Sequence, residues 1–212
     1  MTISTSEVLS NLIELITNYN QTSRSTTNPF ILQKVKANFP QWQYDPQNSL
    51  IRETVAEHVG NLPIIATFLF PYLEHKIDIG KVLTMLAIHD IAETVNGDIN
   101  TFAKKQTDRD MERQNALKLI PKSLIPIFEE YDALESSEAK FARSLDKIAP
   151  EFLGLICPKE ITIERFKVQL NKNQEEILPL IQKHQTTYMQ WDNFLSQFHA
   201  EVLQQLEKKL NN

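Results

Sequence analysis

Two histidines and two aspartates, His58, His89, Asp90 and Asp146, stand in three separate stretches of apolar, helix-patterned sequence. Imidazole nitrogens and carboxylate oxygens together suit a divalent transition metal, and four protein ligands on an octahedral ion leave two positions for water and a substrate oxygen. Such a centre allows hydrolysis. The stretch Lys81–Ile99, KVLTMLAIHDIAETVNGDI, carries much of it, with Val82, Leu83, Met85, Leu86, Ala87, Ile88, Ile91, Ala92 and Val95 apolar at nearly every angle of a 3.6-residue helix. Burying His89, Asp90 and Glu93 there unpaired costs roughly several kcal/mol, which a metal ion would offset. Glu93 follows Asp90 by three positions and His89 by four, so it projects near the metal without having to be a ligand and suits a general acid or base.

These residues need a scaffold of helices. Ser4-x-x-Glu7 is a capping-box pattern opening a first helix to about Tyr19, and Pro29 opens a second, short one. Pro40 and Pro46 bracket an extended segment containing Trp42, a candidate pocket rim. A third helix beginning near Arg52 places Val55, His58, Leu62, Ile65, Ala66 and Leu69 on one face, with Pro63 expected to kink it. By itself a histidine on such a face is more often a core residue than a ligand. The buried helix then spans about Gly80–Val95 and stops at Asn96-Gly97, after which Asp98 is placed to look back into a pocket.

Thr107-x-x-Asp110 starts a charged helix to about Leu119, and Pro121 leads into another. From Ser136 to about Leu155 a helix carries the apolar stripe Phe141, Leu145, Ile148, Phe152 and Leu155, flanked by Ala139, Ala142, Asp146, Ala149 and Leu153. The small neighbours leave room beside Asp146; the bland alternative pairs that acid with Lys147 or Arg143. Asn173-x-x-Glu176 caps a late helix, and Thr187 starts a final one that could cover the core or form a subunit seam. His75, His184 and His199 read as surface residues, and Cys157 as a half-buried thiol.

The 212 residues, 42% of them apolar, suffice for one domain, 1–212, with its core at about 50–156. Four glycines and no glycine-rich phosphate loop leave composition favouring helices. A net charge of −5 argues against a broad nucleic-acid or anionic-membrane surface, and a small-molecule partner fits better. One cysteine excludes an internal disulfide. With no leader pattern and no run long enough to span a membrane, the expected location is cytoplasmic.

Ala56-Glu57-His58, then Ile88-His89-Asp90-Ile91-Ala92-Glu93 with Gly97-Asp98, then Ala139-Lys140-Phe141 and Leu145-Asp146-Lys147 together resemble the H…HD…D signature of the HD-domain phosphohydrolases, in particular their 5′-deoxynucleotidase branch. The resemblance covers about residues 54–155. It implies an all-α HD-domain helical bundle with extra N- and C-terminal helices, often homodimeric, that hydrolyses deoxynucleoside 5′-monophosphates. On the matching positions it implies one divalent metal ion (manganese, cobalt, zinc, magnesium or similar) held by His58, His89, Asp90 and Asp146. Glu93 and Asp98 match the catalytic acids, while Asp98, Ile99, Asn100 and Thr101 match a substrate-contacting loop.

One departure bears on phosphate binding. The family carries an Arg-Trp pair about fifteen residues before its first histidine, and here Gln41-Trp42 stands nearest. Trp42 can keep the sugar-side role, whereas Gln41 cannot supply charge-assisted bidentate binding of phosphate. Arg24, Lys104 and Lys105 are the substitutes that loop geometry could bring in. The leading reading is therefore a nucleotide phosphohydrolase in which Glu93 activates water and Asp98 positions or protonates the leaving group. Two alternatives stay open: the same centre acting on a phosphodiester, a nucleoside polyphosphate or a non-nucleotide phosphate, and a catalytically silent module that binds a nucleotide or partner.

Overall fold

The computed structural model describes residues 18–19, 22–41, 52–99, 104–170 and 174–211. Strand β1 (Ser23–Thr27) is followed by helix α1 (Pro29–Asn38), strand β2 (Arg52–Thr54), α2 (Val55–Leu69), α3 (Ile79–Ile88) and the short α4 (Glu93–Asn96). Then come α5 (Gln106–Leu119), α6 (Ile125–Ala133), α7 (Ser137–Ile156), α8 (Lys159–Leu170), α9 (Gln174–His184), a π-helical turn at Gln185–Met189 and α10 (Asn193–Asn211). The architecture is all-α with one small ribbon. No helix among the described residues is long and apolar enough to cross a membrane.

Helix α7 is the central element. It packs against α2, α3, α6 and α10, because its Ala139, Phe141, Ala142, Leu145, Ile148 and Ala149 are all buried along one broad face. The same core takes Leu62, Ala66, Val82, Met85, Leu86 and Leu195, each large side chain contributing about 1.5–3 kcal/mol through its burial. Phe152, expected on the inner stripe, is 37% exposed; beyond Pro150 the buried residues of α7 are Glu151 and Gly154. Lys209 of α10 donates to the carbonyls of Gly154, Leu155 and Cys157, satisfying acceptors that the end of α7 leaves open. Cys157 beside them is buried rather than half-buried.

Several boundaries differ from the sequence reading. Residues 52–54 form a strand instead of the start of α2, which is capped by Thr54: its hydroxyl accepts from Glu57 N and the Glu57 carboxylate accepts from Thr54 N. The expected helix 80–95 divides at His89, where the Ile91 amide bonds the Ile88 carbonyl and the Glu93 amide bonds the Asp90 carbonyl, three-residue spacings that replace the α-helical ladder. Val95 consequently lies 60% exposed. Gly97, with φ of 70°, supplies the expected stop.

α5 begins at Gln106, one residue before its Thr107 signal, with Asp108 accepting from Lys105 N. The last helix starts at Asn193 rather than Thr187, after the π-helical turn, because Asp192 Oδ1 accepts from Leu195 N. The proposed first helix falls outside the described residues apart from helical Asn18 and Tyr19, as does Asn173.

Candidate metal centre

His58 comes from the inner face of α2, His89 and Asp90 from the tight turn after α3, and Asp146 from the alanine-lined row of α7. One ligand atom from each lies within 4.8 Å of the others. His58 Nε2 is 3.3 Å from Asp146 Oδ1 and 3.7 Å from Asp90 Oδ2, while His89 Nε2 is 3.2 Å from Asp90 Oδ2 and 3.7 Å from Asp146 Oδ1. His89 Nδ1 faces the Leu86 carbonyl at 2.9 Å, and donating there turns Nε2 into the cluster. Although close to Asp90, that buried Nε2 makes no hydrogen bond to any described residue.

Two imidazoles and two carboxylates converging in a largely buried cluster, one nitrogen left without a hydrogen bond among the described residues, fit a divalent cation. The turn at His89 is what achieves the convergence. Adjacent residues on a continuous helix would point about 100° apart, whereas this turn lets both neighbours reach one point.

The electrostatics are tightly coupled. Burial disfavours the Asp90 carboxylate, but His89 and Arg24 overcome this and hold it well below the ordinary range. Asp146 is likewise held down against burial, by Lys147 and the two imidazoles. Burial would lower His89, yet Asp90 and Asp146 carry it up to about 10, so metal must displace a proton to bind there. Glu93 is driven the other way, well above the usual carboxylate range, by burial and by Asp90. The bland pairing of Asp146 also occurs: Lys147 Nζ sits 2.9 Å from Oδ2 while Oδ1 faces His58, the long lysine stem reaching around the helix.

Arg24 enters the site from β1. Its Nη1 lies 2.5 Å from Asp90 Oδ2 and 3.4 Å from Glu93 Oε2, and its Nε is 3.9 Å from Asp98 Oδ2 and 4.0 Å from Glu53 Oε2. Antiparallel pairing puts Ser23 opposite Thr54, and the Val55 amide donates to the Thr22 carbonyl. Asn28 closes the connection by capping α1 while its amide donates to Glu57 Oε1. Thus the N-terminus of the His58 helix positions the arginine. Gln41 is exposed, Lys104 pairs with Glu112 at 2.8 Å and Lys105 is exposed, so of the three substitutes the sequence offered Arg24 is the one that contacts the cluster.

Asp98 is placed beside Arg24 and Ile99 is partly buried; Trp42, Asn100 and Thr101 lie outside the described residues. His75 is exposed as expected. The surface reading of His184 and His199 is overturned: His199 is fully buried and His184 largely so, both facing Glu151. For His199 the signal was present, since it shares helical spacing with Leu195, Val202 and Leu206.

A model of the HD domain matches residues 41–212. Human and bovine 5′-deoxynucleotidase HDDC2 are 27% and 30% identical to the chain over 115 residues, half of this chain and 54% of theirs; the chain thus spans about half the length of these curated relatives. A structure of a predicted metal-dependent phosphohydrolase from Magnetospirillum magnetotacticum superposes with a TM-score of 0.62 at 22% identity, covering 95% of this chain and 94% of that one. The PH0347 protein of Pyrococcus horikoshii gives 0.62 at 19% identity, with 93% and 99% coverage. With the family model covering most of the chain and the histidine–aspartate cluster assembled in its bundle, the protein belongs to the HD domain family.

Proposed function

We propose that the protein is a metal-dependent phosphohydrolase that converts deoxynucleoside 5′-monophosphates into deoxynucleoside and phosphate. The observation that carries the reading is the juxtaposition of the four-residue metal cluster with the buried guanidinium of Arg24. The names of the curated HD-domain relatives support the substrate class. Arg24 also answers the departure at Gln41, because it supplies the planar, permanently charged donor that a phosphate monoester requires.

His58, His89, Asp90 and Asp146 would hold the ion, which when bound supplies the charge that polarises a phosphoryl oxygen and acidifies a water. Arg24 offers its donors to the remaining phosphoryl oxygens, exchanging contacts with Asp90 and Glu93 for contacts with substrate. Asp98 and Glu53 flank its Nε and restrict where the guanidinium can point. Glu93, kept protonated by its surroundings, holds a proton that it can give to the departing 5′-oxygen and recover from the attacking water. Glu93 thereby takes the leaving-group proton expected of Asp98 in addition to the water-side role, and Asp98 orients Arg24.

The reading is tested by phosphate release from ribo- and deoxynucleoside 5′-monophosphates, a phosphodiester and a nucleoside triphosphate, with metal supplied. Fastest turnover of deoxynucleoside monophosphates is expected. A triphosphate or phosphodiester turning over faster would transfer the centre to another phosphate chemistry.

A further inference from the structure

Beside the metal centre lies a cleft of about 120 Å³, walled by α4, α5, α6 and α7 and reaching the centre through His89, Asp90 and Glu93. Four buried polar atoms that lack hydrogen-bond partners among the described residues belong to its lining: His89 Nε2, Glu112 Oε1, Tyr131 OH and Arg143 Nε. Leaving such an atom unpaired costs about 1–3 kcal/mol, so their gathering in one cleft marks a place for a polar ligand. The metal accounts for His89. The other three stay without a role in the mechanism above.

Their chemistry narrows the ligand. Arg143 Nε is a donor and Glu112 Oε1 an acceptor, and the Tyr131 phenol is both. A phenol keeps its proton at neutral pH, so Tyr131 can donate as well as accept. Arg143 lies 4.3 Å over the Tyr131 ring and its Nη1 is 4.0 Å from Asp146 Oδ2, which fixes its direction; Glu112 is fixed through its other oxygen by Lys104. A second phosphate would satisfy the donors but would set its charge against the free Glu112 oxygen. A hydroxyl group donates to that oxygen and accepts from the donors at once, while Ala116 and Phe128 offer apolar wall to the ring that carries it.

We propose that this cleft receives the sugar of the leaving nucleoside, and that Glu112, Tyr131 and Arg143 hydrogen-bond its 3′-hydroxyl. The inference rests on the phosphomonoesterase reading and gives it a specificity determinant. The 3′-hydroxyl is the one free sugar hydroxyl of a deoxynucleoside 5′-monophosphate, and losing it strands the three polar atoms in the bound complex. A site built to bond a hydroxyl rejects the analogue lacking it far more strongly than an apolar pocket does.

The test compares kcat/KM for a deoxynucleoside 5′-monophosphate and its 2′,3′-dideoxy analogue on the metal-loaded full chain, with p-nitrophenyl phosphate as a sugar-free reference. Removal of the hydroxyl is expected to lower kcat/KM about 10-fold or more in the parent protein. Tyr131→Phe should bring that ratio toward one, and Glu112→Gln should do so independently, the reference substrate reporting whether each variant retains a working centre. Equal turnover of the two nucleotides by the parent protein would overturn the proposal and leave the phosphohydrolase reading standing. Release from p-nitrophenyl phosphate alone would overturn both the nucleotide reading and this one.

Discussion

Helix α7 carries a carboxylate into each of two buried histidine clusters, Asp146 among His58, His89 and Asp90, and Glu151 between His184 and His199. At Glu151 the polar atoms are matched. One oxygen meets His184 Nδ1 at 2.7 Å and the other meets His199 Nε2 at 2.6 Å, while His199 Nδ1 meets Gln185 Oε1 at 2.6 Å. The Gln185 amide donates to the carbonyl and hydroxyl of Ser196, which fixes its orientation. That network fastens the π-helical turn and α10 to α7. At Asp146 the same residue types converge with a nitrogen left over and with Glu93, Asp98 and Arg24 crowding the edge. Hydrogen bonds that close on themselves mark a buried His–carboxylate group as structural, and of these two clusters the one at Asp146 is left with an unpaired nitrogen.

Removing one carboxylate from each cluster is the strongest way to break this contrast. Asp90→Ala should lower phosphate release by on the order of 10²–10³-fold or more and abolish metal-dependent thermal stabilisation, readable from turnover and from melting with and without metal. Glu151→Ala should do the opposite, costing about 3 kcal/mol in denaturant unfolding by stranding two buried imidazoles while metal affinity per folded molecule stays near parental. An equal loss of metal binding in both variants would erase the distinction. Next in size, Arg24→Ala should reduce kcat/KM for nucleotide by on the order of 10²-fold, and Arg24→Lys should restore only part, since an ammonium lacks the planar fork.

The smallest effect sharpens the satisfied side. Asp192, buried, caps α10 and accepts from Glu74 N, His75 N and His75 Nδ1. Burial alone would raise its pKa, but these hydrogen bonds hold it below the ordinary range. Its contribution is then complete above the unfolded value of about 4 and is lost as pH falls through the lower folded value. Asp192→Asn should destabilise the protein by about 1 kcal/mol at neutral pH, and the gap to the parent should shrink in acid unfolding measured below about pH 4.

The four residues that the fold brings together, His58, His89, Asp90 and Asp146, were legible as a cluster because aspartate and histidine set among apolar helix positions are scarce and costly, and each came from a helix-patterned segment. The helix break at His89 was hidden: Ile88, Ile91 and Ala92 are apolar whether the ladder continues or tightens to three-residue spacing. Arg24 was legible as a candidate but not as the choice. Its place is set by pairing across some thirty residues, Ser23 with Thr54, and the polar run SRSTT shows no alternation to announce a strand. The burial of His199 was legible from its helical spacing with Leu195, Val202 and Leu206, whereas its partner Glu151, distant in sequence, was not.

The most direct measurement is phosphate release from a deoxynucleoside 5′-monophosphate by metal-stripped protein resupplied separately with manganese, cobalt, zinc or magnesium, with Asp90→Ala and Glu151→Gln run alongside. Release that appears only with metal, disappears in Asp90→Ala and persists in Glu151→Gln is the predicted result. Release that is indifferent to metal, or unaltered by Asp90→Ala, would contradict the assignment of the unclosed cluster as the working centre.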